Sequence, residues 1–274
     1  MALDLATLDG ASAERLLDAH SLEAIYCVAG MTDVEACEGE PERALRTNAH
    51  GPAVLAAYAR KRDLPFVYYS TEYVFDGDAR RPGPYGEQHA THPLSAYGRS
   101  KFEGEVAVVA AHPGALVART TVVYGPDACG KNYVYSLMRN LGVGRRMRVP
   151  ADQVSTPTYN RDLVQATLEL LAVGEGGLWH VCGPELLGRV DFALTVADFL
   201  GLDGRLLDPV PTAELGQRAE RPLAAGLSTD KLLCRLAGWR MRTVAESLAD
   251  CEAELRVFLH TLQNPVSTPA AVSR

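Results

Sequence analysis

A tyrosine and a lysine four positions apart are the residues of this chain best placed to do chemistry. Tyr97 and Lys101 stand in the segment Ser95-Ala-Tyr-Gly-Arg-Ser-Lys-Phe-Glu-Gly-Glu105. If that segment is helical, the two side chains lie on one face, one turn apart. An ammonium beside a phenol favours the phenolate and lowers the tyrosine pKa, which suits a group that donates and recovers a proton near neutral pH. The alternative is a surface tyrosine that merely precedes a lysine.

Hydroxyl and carboxyl side chains precede this pair at the end of an apolar run. Thr71 and Glu72 lie in the segment Val67-Tyr-Tyr-Ser-Thr-Glu-Tyr-Val-Phe-Asp-Gly77. Residues 65–70 predict a strand that ends at these side chains, and residues 94–111 predict the helix that carries the tyrosine and the lysine. The two segments together predict one site, covered by the polar loop 76–93.

The remaining elements alternate as an α/β fold requires. Further strands are predicted at 24–29, 115–119 and 177–181, and further helices at 11–20, 40–61, 132–141, 163–172, 190–200 and 244–262. The glycines at 142–144 and 174–177 are predicted to lie in loops.

Composition argues against several classes of function. The chain has 274 residues, 47% of them hydrophobic, with a net charge of −7 and no basic run, which argues against a nucleic-acid partner. Its six cysteines have no metal-ligand spacing, so we expect reduced thiols and no metal site. No apolar stretch is long enough for a membrane span and no signal peptide is visible, so a cytoplasmic enzyme with no membrane partner is expected.

The two site segments resemble the extended short-chain dehydrogenase/reductases. Within them the chain is most similar to the dTDP-4-dehydrorhamnose reductase branch, which also contains the non-catalytic regulatory subunit of methionine adenosyltransferase. The resemblance runs from Asp4 to about Trp239. Its further matches are Thr32-Asp33-Val34, Glu40-Pro41, Asn48, Arg119-Thr120, Tyr124-Gly125, Asp152-Gln153, Ser155-Thr-Pro-Thr158, Arg221-Pro222 and Leu227-Ser-Thr-Asp-Lys231.

The resemblance implies a Rossmann-like, doubly wound parallel sheet with a smaller C-terminal substrate lobe. We expect a Rossmann-like catalytic core over residues 1–150, with parts of 151–185 returning to it. The substrate lobe is expected mainly over 151–262, followed by a disordered tail at 263–274.

The glycine-rich turn that opens such a sheet is not visible near the N-terminus. The first residues, up to Asp4 and Leu5, resemble the family's third strand, so roughly 35 residues and the first strands are expected to be missing. The strand at 24–29 then becomes an apolar sheet edge that invites association. Two explanations stay open: a start placed too far downstream, or a real truncation whose edge another chain or a second copy covers.

The resemblance assigns catalytic and cofactor roles. Tyr97 would donate a proton during carbonyl reduction, Lys101 would bind the nicotinamide ribose, and Thr71 would hydrogen-bond the substrate carbonyl. Asp4 would contact the adenine. The implied cofactor is NADP or NAD, with NADPH favoured. Because the glycine-rich turn that holds the pyrophosphate is not encoded, we expect weak binding by the chain as given.

Substrate contacts are implied for Glu72, Asn132 and Arg221. The alternative for Glu72 is a lone carboxylate with no role in binding. The alternative for Asn132 is a solvated turn that it forms with Lys131. Isolated basic groups are how an acidic protein would hold a diphosphate. Two positions depart from the family pattern: Val122 stands where rhamnose-forming enzymes tend to have tryptophan, and Cys27 where many members have asparagine.

Three function classes remain open. The first is an NAD(P)H-dependent reductase of a 4-keto nucleotide sugar, which acts as a homodimer or other homo-oligomer. The second is a regulatory subunit like the methionine adenosyltransferase partner, and the third is a non-redox epimerase, dehydratase or cyclase on the same fold. The Thr71, Tyr97 and Lys101 set favours catalysis, whereas the absent glycine-rich turn favours regulation.

Overall fold

The computed structural model describes residues 3–263. The α-helices are, in chain order, α1 (Gly10–Leu17), α2 (Val34–Gly39), α3 (Pro41–Leu45), α4 (Gly51–Lys61), α5 (Ala96–Ala111), α6 (Tyr133–Leu141), α7 (Asn160–Ala172), α8 (Arg189–Leu200), α9 (Asp230–Arg235), α10 (Val244–Asp250) and α11 (Glu252–Gln263). The strands are β1 (Ile25–Cys27), β2 (Phe66–Thr71), β3 (Leu116–Thr120), β4 (Val123–Tyr124), β5 (Met147–Pro150), β6 (Val154–Ser155), β7 (Thr158–Tyr159), β8 (Gly177–His180), β9 (Leu187–Gly188) and β10 (Leu207–Val210). A π-helical turn, Arg46–His50, joins α3 to α4.

Four strands form the central sheet, in the order β1–β2–β3–β8, and every neighbouring pair is parallel. These are the four strands that the sequence predicted, and helices separate them along the chain. The predicted α/β fold with a parallel sheet is therefore confirmed. The register pairs Thr71 with Thr120, so the ends of β2 and β3 lie side by side.

Side-chain alternation along the strands builds a core on each face of the sheet. Phe66 and Tyr68 pack against α4 and α5, whereas Val67 packs against α7 on the opposite face. Because successive strand residues point to opposite faces, a sheet covered by helices on both sides requires apolar residues at almost every position. The first four residues of β2 and the first three of β3 have that composition.

Besides the two cores on the faces of the sheet, a third hydrophobic cluster lies among elements nearer the C-terminus. It joins α6, α8, α10 and α11 with the two-stranded parallel sheet of β5 and β10. Two of its elements, α6 and β5, lie within residues 1–150. The division of the chain into a core and a lobe at that residue stays a prediction.

β1 is an edge strand of the central sheet, as the sequence predicted. It is shorter than the predicted 24–29, and within residues 3–263 no strand pairs with its outer side. Tyr26 and Val28 are 39% and 75% exposed, so this edge of the described chain is open.

The expected strand at the N-terminus is wrong for the described residues. Asp4 begins a turn: its carboxylate accepts from the backbone N–H of Ala6 at 3.0 Å, and its carbonyl accepts from that of Thr7 at 3.3 Å. Leu5 is buried against α4, where a Cβ on Gly51 would collide with it. These contacts favour a turn packed on a helix over a strand in the sheet.

Two other predictions concern residues near the C-terminus. The helix predicted at 244–262 is two helices, because the backbone leaves helical geometry at Cys251, between α10 and α11. The predicted disordered tail lies outside the described residues except for Gln263, the last residue of α11.

Candidate active site

The predicted hydroxyl and carboxylate stand where β2 ends. Thr71 is the last residue of the strand, is 6% exposed, and accepts a hydrogen bond from the backbone N–H of Tyr73 at 3.3 Å. That bond turns the chain into a short 3₁₀ helix, which begins at Glu72. The carboxylate of Glu72 is buried and accepts from the backbone N–H of Gly226 at 3.1 Å. The segment around Gly226 is thereby tied to the end of β2.

The N-terminal turn of α5 brings the tyrosine to the same place. Ser95 caps this helix by accepting from the backbone N–H of Gly98 at 3.2 Å. A Cβ at Gly98 would collide with the carbonyl oxygen of Tyr73, so glycine is what permits this close approach. The rings of Tyr73 and Tyr97 meet edge to face, with their centroids 5.5 Å apart.

Lys101 lies one turn further along α5 and is 6% exposed. Its ammonium donates to the carbonyl oxygen of Tyr69 at 2.6 Å and lies 4.0 Å from the centre of the Tyr68 ring. Burial lowers the pKa of Lys101 to about 8, and the carboxylate of Glu105 raises it in part. The ammonium has three donors, and the carbonyl engages one of them, so donors remain for a ligand.

The expected lowering of the Tyr97 pKa is wrong in this structure. Burial raises the pKa of Tyr97, and the hydroxyl of Thr71 opposes that rise. Tyr97 keeps part of its surface open to the cleft, but the groups packed around it exclude enough water to disfavour the phenolate. Helical spacing shows that Lys101 is near, but it does not show how deeply the phenol is buried.

A buried network anchors this side of the site. Glu105 accepts from Arg119 on β3 at 2.6 and 2.8 Å and from the hydroxyl of Ser70 on β2 at 2.6 Å. Arg119 also approaches His180 of β8, with the two nitrogens 3.5 Å apart. One carboxylate on α5 thus joins the helix that carries Tyr97 to two neighbouring strands.

Thr71, Glu72 and Tyr97 line one cleft of about 260 Å³. Burial raises the pKa of Glu72 to about 7, and the positive charge of Arg189 opposes that rise. A phenol and a carboxyl group whose pKa lies near neutrality therefore share one cleft, an arrangement able to do acid–base chemistry.

The opposite side of this cleft was not predicted from the sequence. It carries Arg189, the first residue of α8, and Tyr133, the first residue of α6. The guanidinium lies over the Tyr133 ring, 4.9 Å from its centre. Both residues begin helices that the sequence predicted, but neither forms a motif with a neighbour along the chain.

Three of the predicted binding residues do not line the Tyr97 cleft, although Arg221 hydrogen-bonds Tyr73, which does. Asn132 caps α6: its Oδ1 accepts from the N–H of Tyr135 at 3.4 Å, and its Nδ2 donates to Gly125 at 2.9 Å. Arg221 lines a neighbouring cleft of about 680 Å³ and donates to Glu35 at 2.9 Å. Asp4 lies in the exposed N-terminal turn, away from the lining of the Tyr97 cleft.

Metal and membrane features were sought across residues 3–263. In that range no group of three or more histidine, cysteine, aspartate or glutamate side chains could hold a metal ion. No helix within the same range is long and apolar enough to cross a bilayer.

The comparisons with known proteins agree with this geometry. A family model described as the RmlD substrate binding domain matches residues 2–257. The chain is 34% identical over 241 residues to a probable low-salt glycan biosynthesis reductase of Haloferax volcanii, covering 87% of this chain and 79% of that one. It is 37% identical over 225 residues to a dTDP-4-dehydrorhamnose reductase of Mycobacterium tuberculosis, covering 81% and 73%.

A solved structure matches as well. The dTDP-4-dehydrorhamnose reductase of Bacillus anthracis, in complex with NADP, superimposes with a TM-score of 0.83 at 29% identity. The match covers 92% of this chain and 87% of that one.

Proposed function

Because this chain belongs to the RmlD substrate binding domain family, we propose that it is an NADPH-dependent reductase of a 4-keto nucleotide sugar. One observation carries the proposal: the cleft that holds Tyr97 also holds Thr71 and Glu72, with Lys101 buried behind it. Relatives named as reductases of thymidine-linked keto sugars support the substrate class.

Lys101 and Tyr97 are suited to bind the nicotinamide end of the cofactor. Lys101 has donors left for the two hydroxyls of a ribose, and Tyr97 lies one turn before it on the same helix. Within residues 3–263 no glycine-rich turn joins a strand to a helix as a diphosphate cradle would require. We therefore predict that this chain does not bind NADPH with submicromolar affinity.

When bound, the reduced nicotinamide supplies the hydride that adds to the carbonyl carbon. Tyr97 supplies the other half of the reaction, the proton that goes from its Oη to the carbonyl oxygen. Burial raises the Tyr97 pKa, so the phenol stays protonated at neutral pH until the oxygen becomes basic. Lys101 then stabilises the phenolate that is left, and Thr71 orients the carbonyl by donating a hydrogen bond.

An NADPH-consumption assay tests the proposal. The protein is given a thymidine diphosphate 4-keto-6-deoxy sugar with NADPH at millimolar concentration, and the product is identified by NMR. We expect consumption that depends on the sugar and a 4-hydroxy product. A rearranged sugar formed without NADPH consumption would favour the non-redox class. No product at all would favour a regulatory role.

The proposal also includes the oligomeric state and the cellular location of the protein. We propose that the chain forms a homodimer, since the exposed edge of β1 gives it a surface able to associate. We also propose that it works in the cytoplasm. Equilibrium sedimentation tests the assembly. A monomer at all concentrations would contradict it.

A further inference from the structure

The wall of the cleft opposite Tyr97 carries two hydrogen-bond donors without a protein partner. The Oη of Tyr133 is buried and makes no hydrogen bond. Among residues 3–263, the guanidinium of Arg189 forms no ion pair and no side-chain hydrogen bond; it lies over the Tyr133 ring, and its charge also acts on Glu72 of the same cleft.

Leaving the Tyr133 hydroxyl unpaired is costly to the folded protein, because buried hydroxyls in proteins are almost always hydrogen-bonded. The half-buried guanidinium of Arg189 lines the same cleft and is available to an anion. A guanidinium only donates and a tyrosine hydroxyl can donate, so one acceptor group with several oxygens can complete both. A phosphate meets that requirement, because its oxygens accept from a guanidinium in a fixed, two-bond geometry.

The position of these donors matches the shape of the proposed substrate. In a 4-keto nucleotide sugar, the carbonyl and the phosphate-bearing carbon are at opposite ends of the six-membered ring. A ring whose carbonyl reaches Tyr97 places its phosphate one ring's length away, inside the cleft that Arg189 and Tyr133 also line. A cleft of about 260 Å³ is smaller than sites for whole drug-sized ligands, so it suits the sugar and its first phosphate.

The other basic candidate is already engaged. Arg221 donates to Glu35 at 2.9 Å and to the carbonyl of Ala219 at 2.6 Å, and it faces the neighbouring cleft. We infer that Arg189 and Tyr133 bind the sugar-linked phosphate of the substrate's diphosphate. This inference rests on the proposed function and names the part of the site that selects a nucleotide-linked sugar over a free one.

The test is a calorimetric titration with thymidine diphosphate, without cofactor or turnover. Arg189→Met keeps much of the packing on Tyr133 but removes the charge, and we expect it to weaken binding about 10- to 100-fold, the range for a charge-assisted hydrogen bond. Tyr133→Phe should weaken binding about 3- to 10-fold. Arg145→Met removes the same charge from an exposed residue between α6 and β5 and should leave the affinity unchanged.

Two further titrations complete the design. Thymidine, measured by competition, should bind equally to wild-type protein and Arg189→Met, since it has no phosphate. An Arg189→Met variant with wild-type affinity for thymidine diphosphate would overturn the inference. A loss of thymidine affinity as large as the loss for the diphosphate, or a loss confined to Arg221→Met, would also overturn it.

The titration with thymidine diphosphate and the reductase assay can fail independently of each other. A protein that binds thymidine diphosphate through Arg189 but reduces no keto sugar would overturn the reductase proposal and support the phosphate site. An active reductase whose affinity for thymidine diphosphate ignores Arg189 would do the reverse.

Discussion

The two walls of the Tyr97 cleft differ in how their polar groups are satisfied. On the sheet side, Thr71, Lys101 and Glu105 each have partners within the protein, at 2.6 to 3.3 Å. On the lobe side, Tyr133 has a buried hydroxyl with no partner, and Arg189 has no side-chain hydrogen bond, only the contact with the Tyr133 ring and an electrostatic attraction to Glu72. The three sheet-side groups are held in place by protein partners before a ligand binds, although Lys101 keeps donors free, whereas the two lobe-side groups make no hydrogen bond with their side chains.

This difference separates chemistry from recognition. Groups that move a proton work best when their surroundings hold them in place before the substrate arrives. Groups that select a substrate gain specificity when only the correct ligand satisfies them, because the wrong ligand leaves donors unpaired. Substitutions on the sheet side should therefore damage turnover or folding, and substitutions on the lobe side should damage binding.

The largest expected effect is on turnover. Tyr97→Phe removes the proposed proton donor and should lower kcat by about 10²- to 10⁴-fold, the usual contribution of general acid catalysis. Affinity for thymidine diphosphate should stay at the wild-type value. Tyr26→Phe changes an exposed tyrosine on β1 and is the matched control. A Tyr97→Phe enzyme with wild-type turnover would remove Tyr97 from the mechanism.

The next effect is on the folding of the sheet side. Arg119→Met leaves the buried carboxylate of Glu105 without its cation, and breaking such a pair costs about 3–5 kcal/mol. Urea unfolding measures the loss. Arg43→Met breaks an exposed pair with Glu40 and should cost less than about 1 kcal/mol. Equal losses in the two variants would show that the buried network does not hold this wall together.

Glu72 should make stability depend on pH. Burial raises its pKa to about 7 from an ordinary 4.5, so its native carboxyl prefers the neutral form. The stability it contributes is present below pH 4.5 and is lost as pH rises through 7. Glu72→Gln avoids this loss, so its stability relative to wild type should increase by about 2–3 kcal/mol between pH 5 and pH 8.

Urea unfolding at the two pH values gives that difference. Glu23→Gln, which alters an exposed carboxylate, should show almost no change with pH. A Glu72→Gln curve parallel to wild type would mean that the Glu72 carboxylate is solvated in the folded protein.

The smallest effect is expected on the lobe side. Arg189→Met removes a cation–π contact and no hydrogen bond, so the free energy of unfolding should change by less than about 1 kcal/mol. Thermal melting of the ligand-free variant measures this change. A loss of several kcal/mol would show that Arg189 supports the fold, and the contrast between the walls would fail.

The sequence predicted the parallel sheet well because its strands are buried on both faces and read as continuous apolar runs. It missed the pairs β4–β7 and β6–β9, since strands of two residues have no periodicity to detect. It also placed a strand at Asp4, where the backbone forms a turn.

Some of the site residues could be predicted from the sequence, and others could not. Tyr97 and Lys101 were predictable because a helix turn places them together, and Thr71 because it ends a strand. Arg189 and Tyr133 were not, because they are 56 positions apart in the sequence and meet only after α6 and α8 pack. Burial also reversed the expected Tyr97 pKa shift, and no spacing rule reports burial.

Isotope transfer tests the central claim most directly. The protein is incubated with a thymidine diphosphate 4-keto-6-deoxy sugar and NADPH that carries deuterium at the transferring position, and the product is analysed by mass spectrometry and NMR. We expect one deuterium at C4 of the sugar with wild-type protein, and formation of that product at least about 100-fold slower with Tyr97→Phe. A wild-type product without deuterium at C4, or equal rates for the two proteins, would contradict the account.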